Sequence, residues 1–172
     1  KTLKILDIGT GSCCIAVSLA AELPHAQVFA LDNDKNVLAV SKKNAEINDV
    51  NIRFIESNIF DEQKDTFLPK INLIVSNPPY VLESEEKLID ENVLKYEPHH
   101  ALFVKDDAPH IFYDKILDLS RDILLPGGKI YFEINEKSTK QVVTLFEQYQ
   151  FKEIIVRKDM AGKDRFVRGR KF

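Results

Sequence analysis

Hydrophobic and polar residues follow two patterns along this chain, one typical of buried strands and one typical of helices. Short apolar runs predict strands at residues 3–8, 26–31, 51–56, 71–76, 129–134, 151–157 and 165–168. Apolar residues three or four positions apart predict helices over residues 12–23, 37–48, 112–123 and 142–149. This alternation predicts an α/β fold with a doubly wound, mostly parallel sheet. The last two strands follow each other directly and predict a C-terminal antiparallel hairpin.

Two stretches of this pattern are predicted not to be regular. Pro126-Gly127-Gly128 predicts a turn before the strand at residues 129–134. Residues 82–107 are long, polar and without clear periodicity. Long irregular segments in compact domains are usually functional, so we expect a substrate loop or a lid there.

Composition and charge narrow the classes of function. The chain has 172 residues, 44% hydrophobic and 30% charged, with a formal net charge of −3, which argues against a protein that binds nucleic acid stably. No apolar run is long enough to predict membrane association. The two cysteines are adjacent, at Cys13 and Cys14, and fit a reducing, cytoplasmic location. The length of the chain predicts one domain, over residues 1–172. Because the chain begins directly on a predicted buried strand, we expect that a preceding segment is missing.

A glycine-rich turn follows the first strand and predicts a nucleotide site. The turn contains Asp7, Gly9, Thr10 and Gly11, and glycine there allows positive φ and close approach of a ligand. Asp32 ends the second strand, where a carboxylate can accept both hydroxyls of a ribose. A nicotinamide dinucleotide and S-adenosylmethionine both fit this pattern. Cys14, at the position where the dinucleotide fingerprint has a third small residue, opposes the first alternative.

The tetrapeptide Asn77-Pro78-Pro79-Tyr80 follows the almost wholly apolar strand at residues 71–76. Proline ends the strand and holds the residue before it in extended geometry. The Asn77 side-chain oxygen and the Pro78 carbonyl are then two acceptors for the planar N–H₂ of an amide or amine, and Tyr80 can stack on that group. Holding a weakly nucleophilic nitrogen in line with a methyl donor needs no metal, and the sequence predicts none. We therefore predict a methyltransferase that acts on nitrogen.

Several motifs together make the chain resemble the catalytic domain of the HemK/PrmC family, the N5-glutamine methyltransferases of peptide chain release factors. They are Leu6-Asp7-Ile8-Gly9-Thr10-Gly11-Ser12, Ser76-Asn77-Pro78-Pro79-Tyr80-Val81, Tyr96-Glu97-Pro98, Ala101-Leu102-Phe103, Pro126-Gly127-Gly128, Phe132-Glu133-Ile134 and residues 159–165. The resemblance covers nearly the whole chain. It implies a Rossmann-like class I methyltransferase sheet with S-adenosylmethionine as cofactor, S-adenosylhomocysteine as product, and a preceding small helical domain that helps to bind the release factor.

The resemblance also implies roles for individual residues. Gly9 and Gly11 would border the methionine part of the cofactor, with Asp7 and Thr10 in the same turn, and Asp32 would bind the ribose. Asn58 and Ile59 would flank the adenine. Asn77 would also contact the cofactor. Asn77, Pro78, Pro79 and Tyr80 would hold the acceptor amide, which in the family is the glutamine of the Gly-Gly-Gln loop of class-one release factors.

Three positions depart from the family pattern, and other functions remain open. Cys13 replaces a third glycine, Asn58 replaces an aspartate, and Asn135 replaces a glycine. A glutamine methyltransferase of a ribosomal protein shares the Asn-Pro-Pro-Tyr motif. An RNA or DNA amino-methyltransferase would fit the eight Lys and Arg of residues 151–172, although an exposed edge hairpin explains that charge as well. An oxidoreductase is opposed by Cys14 and by Asn-Pro-Pro-Tyr.

Overall fold

The structure is a computed structural model that describes residues 2–61, 68–88 and 102–172. Its strands are β1 (Lys4–Ile8), β2 (Gln27–Asp32), β3 (Ile52–Glu56), β4 (Ile71–Ser76), β5 (Val81–Leu82), β6 (Phe103–Val104), β7 (Leu124–Glu133), β8 (Lys152–Lys158) and β9 (Asp164–Arg170). Its α-helices are α1 (Cys14–Glu22), α2 (Lys35–Ile47), α3 (Ile111–Ile123) and α4 (Thr139–Gln148). Short 3₁₀ helices span Glu83–Leu88 and Glu136–Ser138.

Seven of the described strands form one sheet in the order β3-β2-β1-β4-β7-β9-β8. All neighbouring pairs from β3 to β7 are parallel, whereas β9 is antiparallel to both β7 and β8. The predicted parallel sheet with an antiparallel C-terminal hairpin is thus confirmed. The direction of strand order reverses at β1, which pairs with β2 on one side and β4 on the other.

Helices cover both faces of the sheet, as double winding requires. One core cluster contains Leu6 and Phe132 of the sheet with Ile116 of α3 and Phe146 of α4. The cluster on the other face contains Ile5, Val28 and Ala30 of the sheet with Ala16 of α1 and Ala45 of α2. Adjacent residues of one strand therefore belong to different clusters, because successive side chains point to opposite faces.

The Pro126–Gly128 segment differs from the predicted turn. Leu124 pairs with Ile71 and Lys129 pairs with Leu73, so the extra residues lie in an irregularity within β7. Helix α3 ends at Ile123, and the strand begins at the next residue, so no separate turn is needed. Gly127 has a φ of 77°, a conformation that glycine adopts without strain.

Half of the predicted loop at residues 82–107 lies outside the described residues, at positions 89–101, which include Tyr96, Glu97 and Pro98. At its described ends, Val81 and Leu82 of β5 pair in parallel with Phe103 and Val104 of β6. No described helix is both long and apolar enough to cross a membrane.

A close contact between β9 and α4 makes a stability test possible. A Cβ atom added to Gly169 would lie 2.6 Å from Phe146 Cε1 and 3.2 Å from Phe151 Cδ1. Gly169→Ala should therefore lower the free energy of unfolding by about 1–3 kcal/mol through overpacking. The double variant Gly169→Ala/Phe146→Leu should lose less free energy of unfolding than the sum of the losses in the two single variants, as measured by chemical denaturation. Additive losses would show that the contact is absent.

Candidate active site

A cavity of about 550 Å³ opens where the carboxyl ends of β1, β2, β3 and β4 meet. This volume is in the range of cofactor sites. Its walls include residues that directly follow each strand: Gly9 after β1, Asn33 after β2, Ser57 after β3 and Asn77 after β4. The cavity lies at the reversal of strand order, the position where open α/β sheets bind their ligands.

The glycine turn forms one wall and is anchored to β2. The amides of Gly9 and Thr10 both donate to the Leu31 carbonyl, at 2.9 and 3.1 Å. Gly9 and Gly11 have φ values of 68° and 54°, and nothing lies within 4 Å of the position where a Cβ would stand. The turn therefore presents bare backbone to the cavity, as predicted for a ligand that approaches closely.

Cys13 shows why the family pattern has glycine at this position. Its φ is 71°, so a residue with a side chain adopts the left-handed conformation that favours glycine. The thiol is fully buried between α1 and the sheet, and burial raises its pKa. The turn is thus retained despite the substitution.

Asp32 lies on the cavity wall with its carboxylate held by backbone amides. Oδ2 accepts a hydrogen bond from Gly11 N at 3.0 Å, and Oδ1 accepts one from Asp34 N at 3.1 Å. These bonds orient the carboxylate and leave further lone pairs on both oxygens. Asp32 thus offers acceptor oxygens on the wall of the cavity.

Asp7 and Thr10, which were predicted as cofactor contacts, do not line the cavity. Asp7 is 1% exposed and Thr10 is 7% exposed, and the Thr10 hydroxyl donates to Asp7 Oδ2 at 2.7 Å. Residues two apart share a face of a strand, so Asp7 lies with Ile5 under α1, while Ile8 faces the cavity. Burial raises the pKa of Asp7 to about 6.

Asn58 and Ile59 line the end of the cavity that follows β3. Asn58 Oδ1 accepts the backbone N–H of Phe60 at 3.0 Å, which leaves its amide N–H₂ to act as a donor. Phe60 and Phe112 pack edge to face nearby, with ring centroids 5.2 Å apart.

Sequence reasoning missed the apolar part of this wall, formed by Val37, Val40, Phe60, Phe112 and Ile116. Several of these residues were assigned only to helix faces. The structure reveals this wall through apolar side chains that stay exposed, since Val40 is 51% exposed and Phe60 is 37% exposed.

Asn77, Pro78 and Pro79 line the opposite end of the same cavity. The segment is fixed where it leaves the sheet, because the Ser76 hydroxyl donates to the Ile8 carbonyl at 2.7 Å. No hydrogen bond within the described part of the chain engages the Asn77 side chain or the Pro78 carbonyl. Both groups therefore remain available as acceptors.

Tyr80 does not line the cavity. Its hydroxyl donates to Glu133 Oε1 at 3.1 Å, and burial, followed by the negative charge of Glu133, raises its pKa. The stacking of Tyr80 on the acceptor therefore stays a prediction, while its hydroxyl is engaged by Glu133. Among the described residues, no group of three or more His, Cys, Asp or Glu is arranged to hold a metal ion.

Residues 1–103 match the family described as methyltransferase small domain. Among curated proteins, the release factor glutamine methyltransferase of Flavobacterium psychrophilum is 51% identical over 168 residues, which cover 98% of this chain and 58% of that protein. The protein of the same name from Bacteroides thetaiotaomicron is 44% identical over 166 residues, covering 95% of this chain and 59% of that protein. The chain thus spans less than two thirds of these curated relatives.

Solved structures show the same fold at low sequence identity. A methyltransferase from Pyrococcus furiosus superposes with a TM-score of 0.72 at 22% identity, covering 99% of this chain and 75% of that one. A ribosomal protein L11 methylase from Lactobacillus delbrueckii superposes with a TM-score of 0.68 at 19% identity, covering 100% of this chain and 72% of that one. These similarities confirm the predicted fold class.

The buried carboxyl of Asp7 should make stability depend on pH. Its pKa is about 6 in the folded protein and 3.8 ordinarily, so the folded state binds the proton more tightly than the unfolded state does. The contribution of Asp7 to the free energy of unfolding is fully present below pH 4 and is lost as the pH rises through about 6. Asp7→Asn should remove this decline in chemical denaturation measured from pH 4 to 7.

Asp61→Asn is the control for this prediction, because Asp61 is exposed. That variant should keep the wild-type pH dependence. An equal decline in the wild type and in Asp7→Asn would mean that Asp7 is ionised without cost in the folded protein.

Proposed function

Because this chain belongs to the methyltransferase small domain family, we propose that it transfers a methyl group from S-adenosylmethionine to the side-chain amide nitrogen of a glutamine. The observation that carries this proposal is the shared cavity. Gly9, Gly11 and Asp32 line one part of it, and Asn77 and Pro78 line another. The residues proposed to bind the cofactor and those proposed to hold the amide thus border one cavity.

The residues at the nucleotide end fit this cofactor. The exposed backbone at Gly9 and Gly11 leaves room for its methionine part. Asp32 would accept the ribose hydroxyls, and Asn58 would donate its free amide to an adenine nitrogen. When bound, S-adenosylmethionine supplies a methyl group on a positively charged sulfur, and S-adenosylhomocysteine is the product.

At the acceptor end, the Asn77 oxygen and the Pro78 carbonyl would each accept one N–H of the glutamine amide. The prolines stiffen the backbone, so the Pro78 carbonyl and the Cα–Cβ direction of Asn77 are already fixed before substrate binds. As methyl transfer makes the nitrogen positive, its N–H groups become stronger donors, and the two bonds stabilise the transition state more than the ground state. The surplus proton then passes to water.

The names of the curated relatives support a release factor as the substrate, since proteins so named are 35–51% identical to this chain. We propose the glutamine of the Gly-Gly-Gln loop of class-one release factors as the acceptor. A cytoplasmic location follows from such a substrate, and we expect no stable binding of nucleic acid.

Mass spectrometry of methylated substrate tests the assignment. Class-one release factor, ribosomal protein and RNA are incubated separately with the protein and labelled S-adenosylmethionine. We expect one added methyl group on the glutamine of the Gly-Gly-Gln peptide. Label in ribosomal protein or RNA, with none in that peptide, would contradict the proposed substrate.

The role of Asn77 can be separated from folding and from cofactor affinity. Asn77→Ala removes one of two acceptors, so turnover should fall by roughly 10²–10³-fold, the usual effect of losing one preorganised transition-state contact. Calorimetry should show S-adenosylmethionine bound with nearly unchanged affinity.

Asn36→Ala is the matched control, since Asn36 lies in the first turn of α2 and outside the cavity. It should leave turnover at the wild-type level. A large loss of cofactor affinity in Asn77→Ala would show instead that Asn77 serves the cofactor.

A further inference from the structure

Tyr80 joins the acceptor segment to a part of the sheet that the transfer itself does not use. It directly follows Asn77, Pro78 and Pro79, but its hydroxyl donates to Glu133 at the end of β7. The neighbouring strand holds Glu133 in place, because Glu133 pairs with Phe166 of β9. The Tyr113 hydroxyl also donates to the Glu133 carbonyl at 3.0 Å.

Arg165 stands next to this pair and is held by the turn between β8 and β9. Its Nη1 donates to the Ile134 carbonyl at 3.4 Å, and its Nε lies 3.3 Å from Asp159 Oδ2. The positive charge of Arg165 interacts with both Tyr80 and Glu133. Arg165 is largely buried, with 27% of its side chain exposed. Solvent and salt therefore screen its charge less than they screen the charge of a surface residue.

Asp159 organises the turn that carries Arg165. Its Oδ1 accepts the backbone amides of Ala161 at 2.9 Å and Lys163 at 3.0 Å, and the Asp159 amide donates to the Lys163 carbonyl at 2.8 Å. These bonds lower the pKa of Asp159 and keep it ionised toward Arg165. The turn of the C-terminal hairpin thus fixes Arg165, whose charge acts on Tyr80 and Glu133.

The acceptor segment is therefore held at both ends. Ser76 bonds to β1 before it, and Tyr80 bonds to β7 after it. Between them, the two prolines fix two φ angles, which leaves little freedom to absorb a shift at either end. A displacement of the Tyr80 ring would be transmitted to the Pro78 carbonyl and the Asn77 side chain.

From these contacts we infer that Glu133 is a positioning residue for the acceptor half of the site, and that it acts by fixing Tyr80. This inference rests on the proposed function and deepens it. Strand β9 then supports the site through its pairing with Glu133, although none of its residues lines the cavity among those described. Small errors in the position of reacting groups have large effects on rate, which makes this role measurable.

A double-mutant cycle tests the coupling between Tyr80 and Glu133. Tyr80→Phe and Glu133→Ala should each lower kcat by roughly 10–100-fold, while the Kd for S-adenosylmethionine stays within about twofold of wild type. The double variant should be no worse than either single one, because both remove the same hydrogen bond. Glu133→Gln should recover part of the rate, because its side-chain oxygen still accepts the Tyr80 proton.

A second tyrosine–carboxylate pair provides the matched control. The Tyr149 hydroxyl donates to Asp114 Oδ1 at 3.0 Å on the outer side of α3 and α4. Tyr149→Phe and Asp114→Asn should leave kcat at the wild-type level. Equal losses at both pairs, or additive losses in the Tyr80–Glu133 cycle, would overturn the positioning role.

A measurement on the enzyme without acceptor separates this inference from the proposed function. In protein labelled with ¹³C at the tyrosine ring, Glu133→Gln should lower the pKa of Tyr80 toward its ordinary value and leave that of Tyr149 unchanged. Kinetics are measured on whichever acceptor the mass spectrometry identifies. An unchanged Tyr80 pKa would overturn the inference, whereas transfer to an acceptor other than glutamine would overturn only the proposed function.

Discussion

The pairing of β1 with two parallel neighbours is the constraint on which the site depends. Because β2 and β4 flank β1 in the same direction, the residues that follow all three strands meet at one edge of the sheet. The nucleotide end and the acceptor end are thus brought together, although Gly11 and Asn77 lie far apart along the chain. The hydrogen bond from Ser76 to Ile8 fixes the two ends relative to each other.

Backbone groups preorganise one acceptor in each part of the site. Asp32 is oriented by the amides of Gly11 and Asp34, and the Pro78 carbonyl is held by the geometry of two consecutive prolines. Groups already in place need little reorganisation during the reaction, so their interaction with developing charge is not weakened. Such a site is suited to a nucleophile as weak as an amide, where positioning has to replace strong acid or base chemistry.

Support for the site extends well beyond the cavity. Tyr80 links the acceptor segment to β7 through its hydrogen bond with Glu133. Asp159 holds Arg165 against the turn of the C-terminal hairpin. Ion pairs from Lys163 to Glu136, at 2.9 Å, and from Lys137 to Glu85, at 2.7 Å, tie the same region together at the surface. The antiparallel hairpin therefore contacts the segments that support the site, through the pairing of Phe166 with Glu133.

The sequence by itself determined the succession of strands and helices along the chain, the parallel sheet and the two motifs. Each of these depends on local periodicity or on the backbone limits of glycine and proline. It did not determine which motif residues face the ligand. Asp7 and Thr10 lie behind the turn, and Tyr80 is directed to Glu133.

Only the tertiary structure decided those directions and the apolar wall formed by Phe60 and Phe112. The reason is that these contacts join residues from separate elements, such as Tyr80 and Glu133, which are 53 positions apart. Such pairs meet through sheet register and strand order, which no local pattern of residues records.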